Sequence, residues 1–542
     1  MNQRLRRVRL IKSPGSLSDG RTLSAKREGP GPFTFLLLCS FLILADFYSC
    51  EVRKAPLRTE PVPRPAAPVI SPEELFQKGE LEFQKFTAPG YRAAVDYFEQ
   101  ALKLKPGLTG AYGRLAVVYG LWAKERNDLG LDNLEQWVKS YYFSLRAKEL
   151  GQVADYLKAS ALAANSRNFI SRREYGEFFS TIKKRFARES AELALSYLRD
   201  IFYTGQFKRE AINQPLETLD TLLKDNPDDT EALVLKAMVQ VLTADDPNLV
   251  RVMELKPDWS LPCFLLGLFH KSRGDLEQAE KWFNLTLEKN PEQPRAQAEL
   301  GELAFLGRKY EQAEKYLEKS LALDGEMPRA HLLAGLILRE KGEYDRALEH
   351  FRAVTSLVPD HEEALYYQAL VLVEQADWPL SLEILDSLVR MAGSYEIFGY
   401  ALRALSYLML DRLAEAEADS RSALGISSGY YLPYYILGLV YFRKEDWKKA
   451  GENFRLSLKV DKTFADGHYY LGQTYLKLNE SNQARAELTR AAELFQYEAK
   501  QAELLSAQAR ERGWTRKAEL LLGRKKELEA KIAHCQKLLT SK

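Results

Sequence analysis

From Ser260 onward, apolar residues recur three and four positions apart, the period of an amphipathic helix. The pattern then repeats as a block. Three successive blocks read FLLGLFHKSRGDLEQAEKWFNLTLEKNPEQ, AELGELAFLGRKYEQAEKYLEKSLALDGEM and LLAGLILREKGEYDRALEHFRAVTSLVPDH. Gly267, Gly301 and Gly335 are 34 residues apart, and Ala369, Ala404, Gly438 and Gly472 keep the place with one step of 35. A second small residue holds the same beat at Ala279, Ala313, Ala347, Ser381, Ala416, Ala450 and Ala484. A bulky residue follows it four later at Phe283, Leu317, Phe351, Leu385 and Phe454. Gly274-Asp275 and Gly342-Glu343 interrupt the pattern inside a block, as a tight helix–helix turn would. Each block therefore predicts two helices, with the small residues letting their backbones approach. Such pairs bury their faces only against their neighbours, so the expectation is an all-α solenoid of stacked antiparallel helix pairs.

The spacing resembles the tetratricopeptide repeat. Leu266-Gly267, Leu437-Gly438 with Tyr441, and Leu471-Gly472 with Tyr475 match the Leu-Gly pair and the aromatic three residues later. Clear units cover 260–496, seven in all, and the unit at 362–396 is degenerate, with Pro379 beside its small-residue slot. YRAAVDYFEQALKLKP holds Ala94, Phe98, Ala101 and Pro106 in phase, and Leu115, Ala116 and Tyr119 follow, so 72–119 reads as an N-terminal unit. Residues 120–259 read as divergent helical repeats, with DNPDDTEALVLKAMVQVL and MELKPDW forming a shortened one. Leu521, Leu528, Ile532, Cys535 and Leu539 make a stripe in the tail, so 497–542 is expected to cap the last repeat.

Ahead of the repeats, three segments differ in composition. Residues 1–32 are a basic arm. Residues 33–50, FTFLLLCSFLILADFYSC, form an apolar run that carries no charge from Phe33 to Ala45. At 1.5 Å per residue its 18 residues span about 27 Å, short of a roughly 30 Å hydrocarbon core. Cys50, preceded by Ser49, resembles the lipidated cysteine of a bacterial lipoprotein signal, although Phe47 and Tyr48 stand where that family has smaller residues. An uncleaved signal-anchor is the second reading; a cleaved leader and a buried core helix are the others. Residues 51–71 are proline-rich, an extended spacer. Together these segments predict a membrane-associated chain with its repeats on the extracytoplasmic, periplasmic side.

Charge and chemistry narrow the function. Lys plus Arg is 77 against 75 Asp plus Glu, so the basic excess of a nucleic-acid binder is missing. Four scattered cysteines make neither a disulfide framework nor a zinc knuckle. No phosphate-binding glycine loop, nucleophile elbow or H-E-x-x-H string occurs. His361-Glu362-Glu363 reads as a helix-capping segment and Cys263 as a buried small apolar residue. The expectation is a chain without enzymatic activity, cofactor, metal site, nucleic-acid partner or small-molecule substrate.

The resemblance supplies a candidate site. In tetratricopeptide proteins the first helix of each unit lines a concave groove that holds peptides or helices. Carried over place by place, the groove candidates are Phe264, Leu268, Phe305, Leu336, Tyr366, Leu370, Leu405, Tyr435, Leu439, Phe442 and Tyr469. Lys271, Glu302, Arg339 and Gln473 occupy equivalent places. The Lys and Asn set with which some members clamp a terminal carboxylate is missing. The lining therefore reads as apolar and aromatic, suited to a hydrophobic protein segment, unless the chain's own segments fill it. The functional expectation is a membrane-tethered scaffold for protein partners, in envelope assembly or secretion. An adaptor or regulatory subunit of an enzyme complex is the second reading, cytosolic if translation begins later.

Overall fold

The computed structural model describes residues 70–166, 210–239 and 246–540. Within them every regular element is an α-helix. The N-terminal part holds α1 (Pro72–Phe83), α2 (Ala88–Leu104), α3 (Thr109–Asp128), α4 (Leu134–Glu149) and α5 (Val153–Ser166). Next come α6 (Glu210–Asp225), α7 (Thr230–Val239) and α8 (Pro247–Leu255). Seven hairpins follow. Units 1 to 3 are α9 (Leu261–Arg273) with α10 (Leu276–Lys289), α11 (Pro294–Leu306) with α12 (Tyr310–Leu323), and α13 (Pro328–Lys341) with α14 (Tyr344–Leu357). Units 4 to 6 are α15 (Glu362–Glu374) with α16 (Trp378–Arg390), α17 (Glu396–Met409) with α18 (Leu413–Ile426), and α19 (Tyr431–Arg443) with α20 (Trp447–Val460). Unit 7 is α21 (Ala465–Lys477) with α22 (Ser481–Glu511), and α23 (Thr515–Thr540) closes the chain.

One packing device holds each hairpin. A Cβ on Gly267 would lie 2.5 Å from the ring of Phe283, and one on Gly335 2.6 Å from Phe351. Gly301 and Gly472 sit in the same way 2.8 and 2.7 Å from Leu317 and Leu488, and Gly438 lies under Phe454. Phe283, Phe351 and Phe454 are wholly buried by this contact. In two units alanine takes the glycine's place, Ala369 with Leu385 and Ala404 with Ser420 at the bulky place, all four fully buried. Neither of the alanine units carries the Phe that fits over a glycine. The N-terminal unit repeats the device, with Gly79 2.6 Å from Phe98.

The turn inside each hairpin is also constant. Gly274 and Gly342 have φ of +83° and +79°, and the equivalent residues of the other units share the left-handed conformation without being glycine. They are Arg308, Ala376, Asp411, Glu445 and Asn479, with φ between 57° and 61°, and Phe86 at 50° takes the place in the N-terminal unit. The stacking fixes the turn, and it overrides the local cost of a left-handed L residue, about 1–2 kcal/mol.

In the divergent region the described residues are helical but off period. α3 has 20 residues and α8 only 9. A charged network ties it together. Arg114 on α3 binds Glu80 of α1 at 2.7 Å and Glu231 of α7 at 2.9 Å, and Lys158 of α5 binds Asp229 and Glu231 at 2.9 and 3.1 Å. Burial opposes ionisation of Glu231, but Arg114 and Lys158 overcome it and hold its pKa down to about 2. At the other end, the boundary expected after residue 496 lies inside α22. The second helix of unit 7 and the start of the cap are one 31-residue helix. Leu528 and Cys535 of α23 bury themselves against Leu488 and Phe495 of α22.

Two stability measurements check these readings. Gly335→Ala is expected to cost about 1–3 kcal/mol by overpacking, and Phe351→Leu to restore part of it. The two substitutions should couple by about 1 kcal/mol in a denaturant double-mutant cycle; additive effects would contradict the packing account. Ala376→Gly, relieving a left-handed alanine, should stabilise by about 0.5 kcal/mol in the same assay.

Candidate functional site: the inner wall of the repeat array

From α11 to α21 the first helices of neighbouring units touch one another as well as their own second helices. They form the inner wall. Its lining differs from the expectation. Phe264, Tyr366, Leu370, Leu405, Tyr435 and Leu439 are buried, and Leu268, Phe305, Leu336, Phe442 and Tyr469 half-buried; none is exposed. The reason is an aromatic chain linking the units. Tyr366 packs on Tyr395 at 5.1 Å, and Phe398 joins Tyr366 to Tyr430 at 5.8 and 5.4 Å. Tyr431 and Tyr435 then flank Phe464 at 4.7 and 4.8 Å. Burial raises the Tyr366 phenol above its usual range. Phe442 is held between Trp447 and Tyr470 at 5.1 and 5.7 Å. Tyr366, Tyr435 and Phe442 are therefore mortar between units.

What the wall of units 1 to 4 does present is charge. Lys271 of α9 bridges to Glu299 and Glu302 of α11; Glu302 meets Arg329 of α13 at 2.7 Å, and Arg329 approaches Glu363 of α15 at 3.7 Å. Beside this row, Arg339 of α13 pairs with Glu374 of α15 through two contacts, one of them 3.1 Å. Burial works against ionised Glu302, but Arg329 and Lys271 outweigh it and hold its pKa below the ordinary carboxylate value. The Arg329 side chain is 47% exposed, while Lys271, Glu299, Glu302 and Glu363 are half-buried, so the row meets solvent chiefly at Arg329. The sequence carried the signal: opposite charges stand at the second, ninth and twelfth places of consecutive units. The apolar reading of the lining passed over it.

Both ends of the wall are covered by the chain itself. At the start, Phe86 packs on Trp259 at 4.8 Å, and Arg92 of α2 and Arg126 of α3 reach Asp324 and Glu326 in the loop before α13 at 3.2 and 2.5 Å. Phe264 and Leu268 belong to the same apolar cluster as Tyr91, Val117 and Leu121. At the far end, the Tyr469 hydroxyl bonds His534 of α23 at 2.6 Å, and Lys531 pairs with the buried Asp466. The tip between α22 and α23 returns to early units, where Trp514 packs on Tyr310 at 5.6 Å and Leu520 on the Gly342 turn. The long helical pair thus straps unit 7 to units 2 and 3. The reading of Phe264, Leu268 and Tyr469 as an open groove is corrected accordingly.

The remaining candidates fall as follows. Cys50 and the whole 33–50 segment lie outside the described residues. Among the described residues, no helix is long and apolar enough to cross a membrane. His361 caps α15, its Nδ1 accepting from the Ala364 amide at 3.2 Å. Cys263 is wholly buried, and burial raises its thiol. One pairing escaped the sequence reading: His331 and His350 meet through their Nδ1 atoms at 3.0 Å, and burial lowers His350 to about 4. No group of three or more metal-ligating side chains occurs among the described residues.

Stacked hairpins with inward first helices and a polar inner row define the class: an α-solenoid scaffold. The family model that matches is the tetratricopeptide repeat, over residues 264–328, 299–360 and 332–396, so this part of the chain carries repeats of that family. Among solved structures, the MamA protein matches with 22% identity over 32% of this chain and 96% of its own, at a TM-score of 0.28. PilW, described as a widely conserved type IV pilus biogenesis factor, matches with 17% identity over 38% and 94%, at 0.34. The APC/C hetero-tetramer Cut9–Hcn1 matches with 14% identity over 84% and 96%, at 0.37. These likenesses concern the fold alone. No curated protein sequence matches.

The strap makes a local prediction. Trp514→Ala should speed amide exchange about tenfold at the start of α12 and the end of α13, the loss of about 1.4 kcal/mol, and leave α15 to α19 unchanged. Leu504→Ala, at an exposed position of α22, is the control and should change neither. Equal protection in wild type and Trp514→Ala would show that the strap is loose.

Proposed function

We propose that this chain is a non-enzymatic scaffold that holds a protein partner against the inner wall of units 1 to 4. The observation that carries the reading is the ion-pair row from Lys271 to Glu363 on inward-facing helices, with Arg329 exposed to solvent. At the exposed Arg329 such pairs contribute little to stability, about 0–1 kcal/mol each. Their succession across four units favours a recognition role, since a charged partner segment can exchange with the exposed member at small cost. The buried aromatics that continue the wall from unit 4 onward stiffen the array, so little ordering entropy is lost on binding.

The reading includes a tether. The basic arm, the apolar run 33–50 and the proline-rich spacer 51–71 suit a chain anchored to a membrane with its repeats on the extracytoplasmic side, and lipidation at Cys50 would supply the anchor. Envelope assembly or secretion is the setting that such a tethered scaffold fits.

Two experiments test the two halves. A photo-crosslinking side chain at Arg329, on the wall, should capture a discrete polypeptide in cells. The same probe at Leu456, 41% exposed on α20, should capture none. Capture at Leu456 and not at Arg329 would move the binding surface to the outside. For the tether, fractionation should find the wild-type chain with membranes and Cys50→Ser released from them. A mutant that stays bound points to a signal-anchor, and a wild-type chain found only in the soluble fraction ends the tether.

A further inference from the structure

Where α2, α3, α7, α9 and the start of α11 meet, the described residues line a cavity of about 200 Å³. A single buried water needs about 10–15 Å³, so the space is an order of magnitude larger than one water fills. Its walls are aromatic on one side, with Phe86, Tyr91 and Phe264, and polar on the other, with Glu125, Gln293 and Arg295.

The polar side is unbalanced toward acceptors. Gln293 is 1% exposed; its Nε2 donates to the Phe86 carbonyl at 3.3 Å, and its Oε1 has no partner. Glu125 is 6% exposed, and among the described residues no hydrogen bond or ion pair reaches its carboxylate. The neighbouring cations are already matched, because Asp128 takes Lys124 at 3.1 Å and Arg295 at 3.6 Å. Arg295 in addition lies over the Phe264 ring at 5.0 Å. A buried acceptor without a donor is costly, and a buried carboxylate more so. What the cavity lacks is a compact group with several N–H donors, and its aromatic side favours that group being cationic.

We propose that this cavity binds a primary ammonium on a short apolar stem, either a free alkylamine or the end of a lysine side chain from a bound peptide. Glu125 and Gln293 accept its N–H groups, and Phe86 and Tyr91 form the apolar wall along the stem.

The site is pH-sensitive in a defined direction. Burial pushes the Glu125 carboxyl up to about 7; Arg295 of α11 and Arg92 of α2 draw it down, and Asp324 beyond α12 and Asp128 on its own helix push it up. The ammonium takes the ionised carboxylate, so below that value binding requires loss of a proton. Affinity then falls, approaching tenfold per pH unit. An alkylamine itself stays charged across this range, so the slope belongs to the protein.

Calorimetric titration of the full chain with n-butylamine from pH 5.5 to 8, beside 1-butanol as the uncharged isostere, tests the proposal. The expected result is saturable binding of the amine, strengthening by more than tenfold between pH 5.5 and 8, with no matching response to butanol. Glu125→Gln should abolish the pH dependence and weaken binding at pH 8 by at least tenfold, and Gln293→Leu should weaken it less. Circular dichroism of both variants confirms that they fold, and the wild-type pH series and the butanol arm need no variant. Binding of butanol as tight as the amine, a flat pH profile, or no saturable amine binding each overturns the proposal. A lysine-containing peptide and its norleucine counterpart form a second arm. Preference for the lysine peptide over butylamine identifies a side chain as the ligand, and preference for butylamine identifies a free amine.

Discussion

The array depends on one contact, repeated: a residue without bulk on the first helix of each hairpin lying under a large side chain on the second. Gly267 under Phe283, Gly335 under Phe351 and Gly438 under Phe454 bring the two helices close enough for a single wholly buried ring to fill the space between them. Dispersion and the loss of hydrated apolar surface both favour that geometry, and a single added methyl group would oppose it. Because the contact sits at the same height in each unit, the helices present the same faces upward and downward, and unit stacks on unit. The left-handed turns at Arg308, Ala376, Asp411 and Glu445 follow from it. The close approach leaves the chain only one way to reverse, and residues ill-suited to that conformation adopt it.

The closure of the two ends follows from the same economy of burial. A solenoid cut at either end exposes the apolar face of its last unit. Here α22 and α23 bury that face with Leu528 and Cys535. They are long enough to reach back to Tyr310 and the Gly342 turn. At the other end Phe86, Arg92 and Arg126 bring the N-terminal helices onto the loops that lead into α9 and α13. Stability and binding therefore divide the inner wall between them. Its aromatic depth holds the units together, while its charged row, from Lys271 to Glu363, stays accessible.

That division gives a scaffold with a rigid, polar recognition face. Long-range charge fields act on the rate of encounter and on the choice of partner more than on the depth of binding. A wall of alternating charge suits a segment that is itself charged in both senses. The aromatic chain from Tyr366 to Phe464 stiffens the units that follow it, since each ring contacts rings of the neighbouring unit.

By itself the sequence determined the local rules. The 34-residue beat of Gly267, Gly301 and Gly335 dictated hairpins, the Ala and Phe places dictated their packing, and the stripe of Leu528 and Cys535 dictated a cap. These are interactions between residues close along the chain, and a periodic code records them directly. Tertiary structure alone decided where the apolar first-helix residues went. Tyr366 and Tyr435 look like groove residues when each unit is read singly, but the curvature of the stack turns them against Tyr395 and Phe464 of the next units. It also decided that Trp514 meets Tyr310, that Arg92 meets Asp324, and that Glu125 and Gln293 share a cavity. Those pairs lie hundreds of residues apart or on helices off the repeat period. Their meeting depends on the summed rotation of all the units between them, a quantity no single repeat encodes.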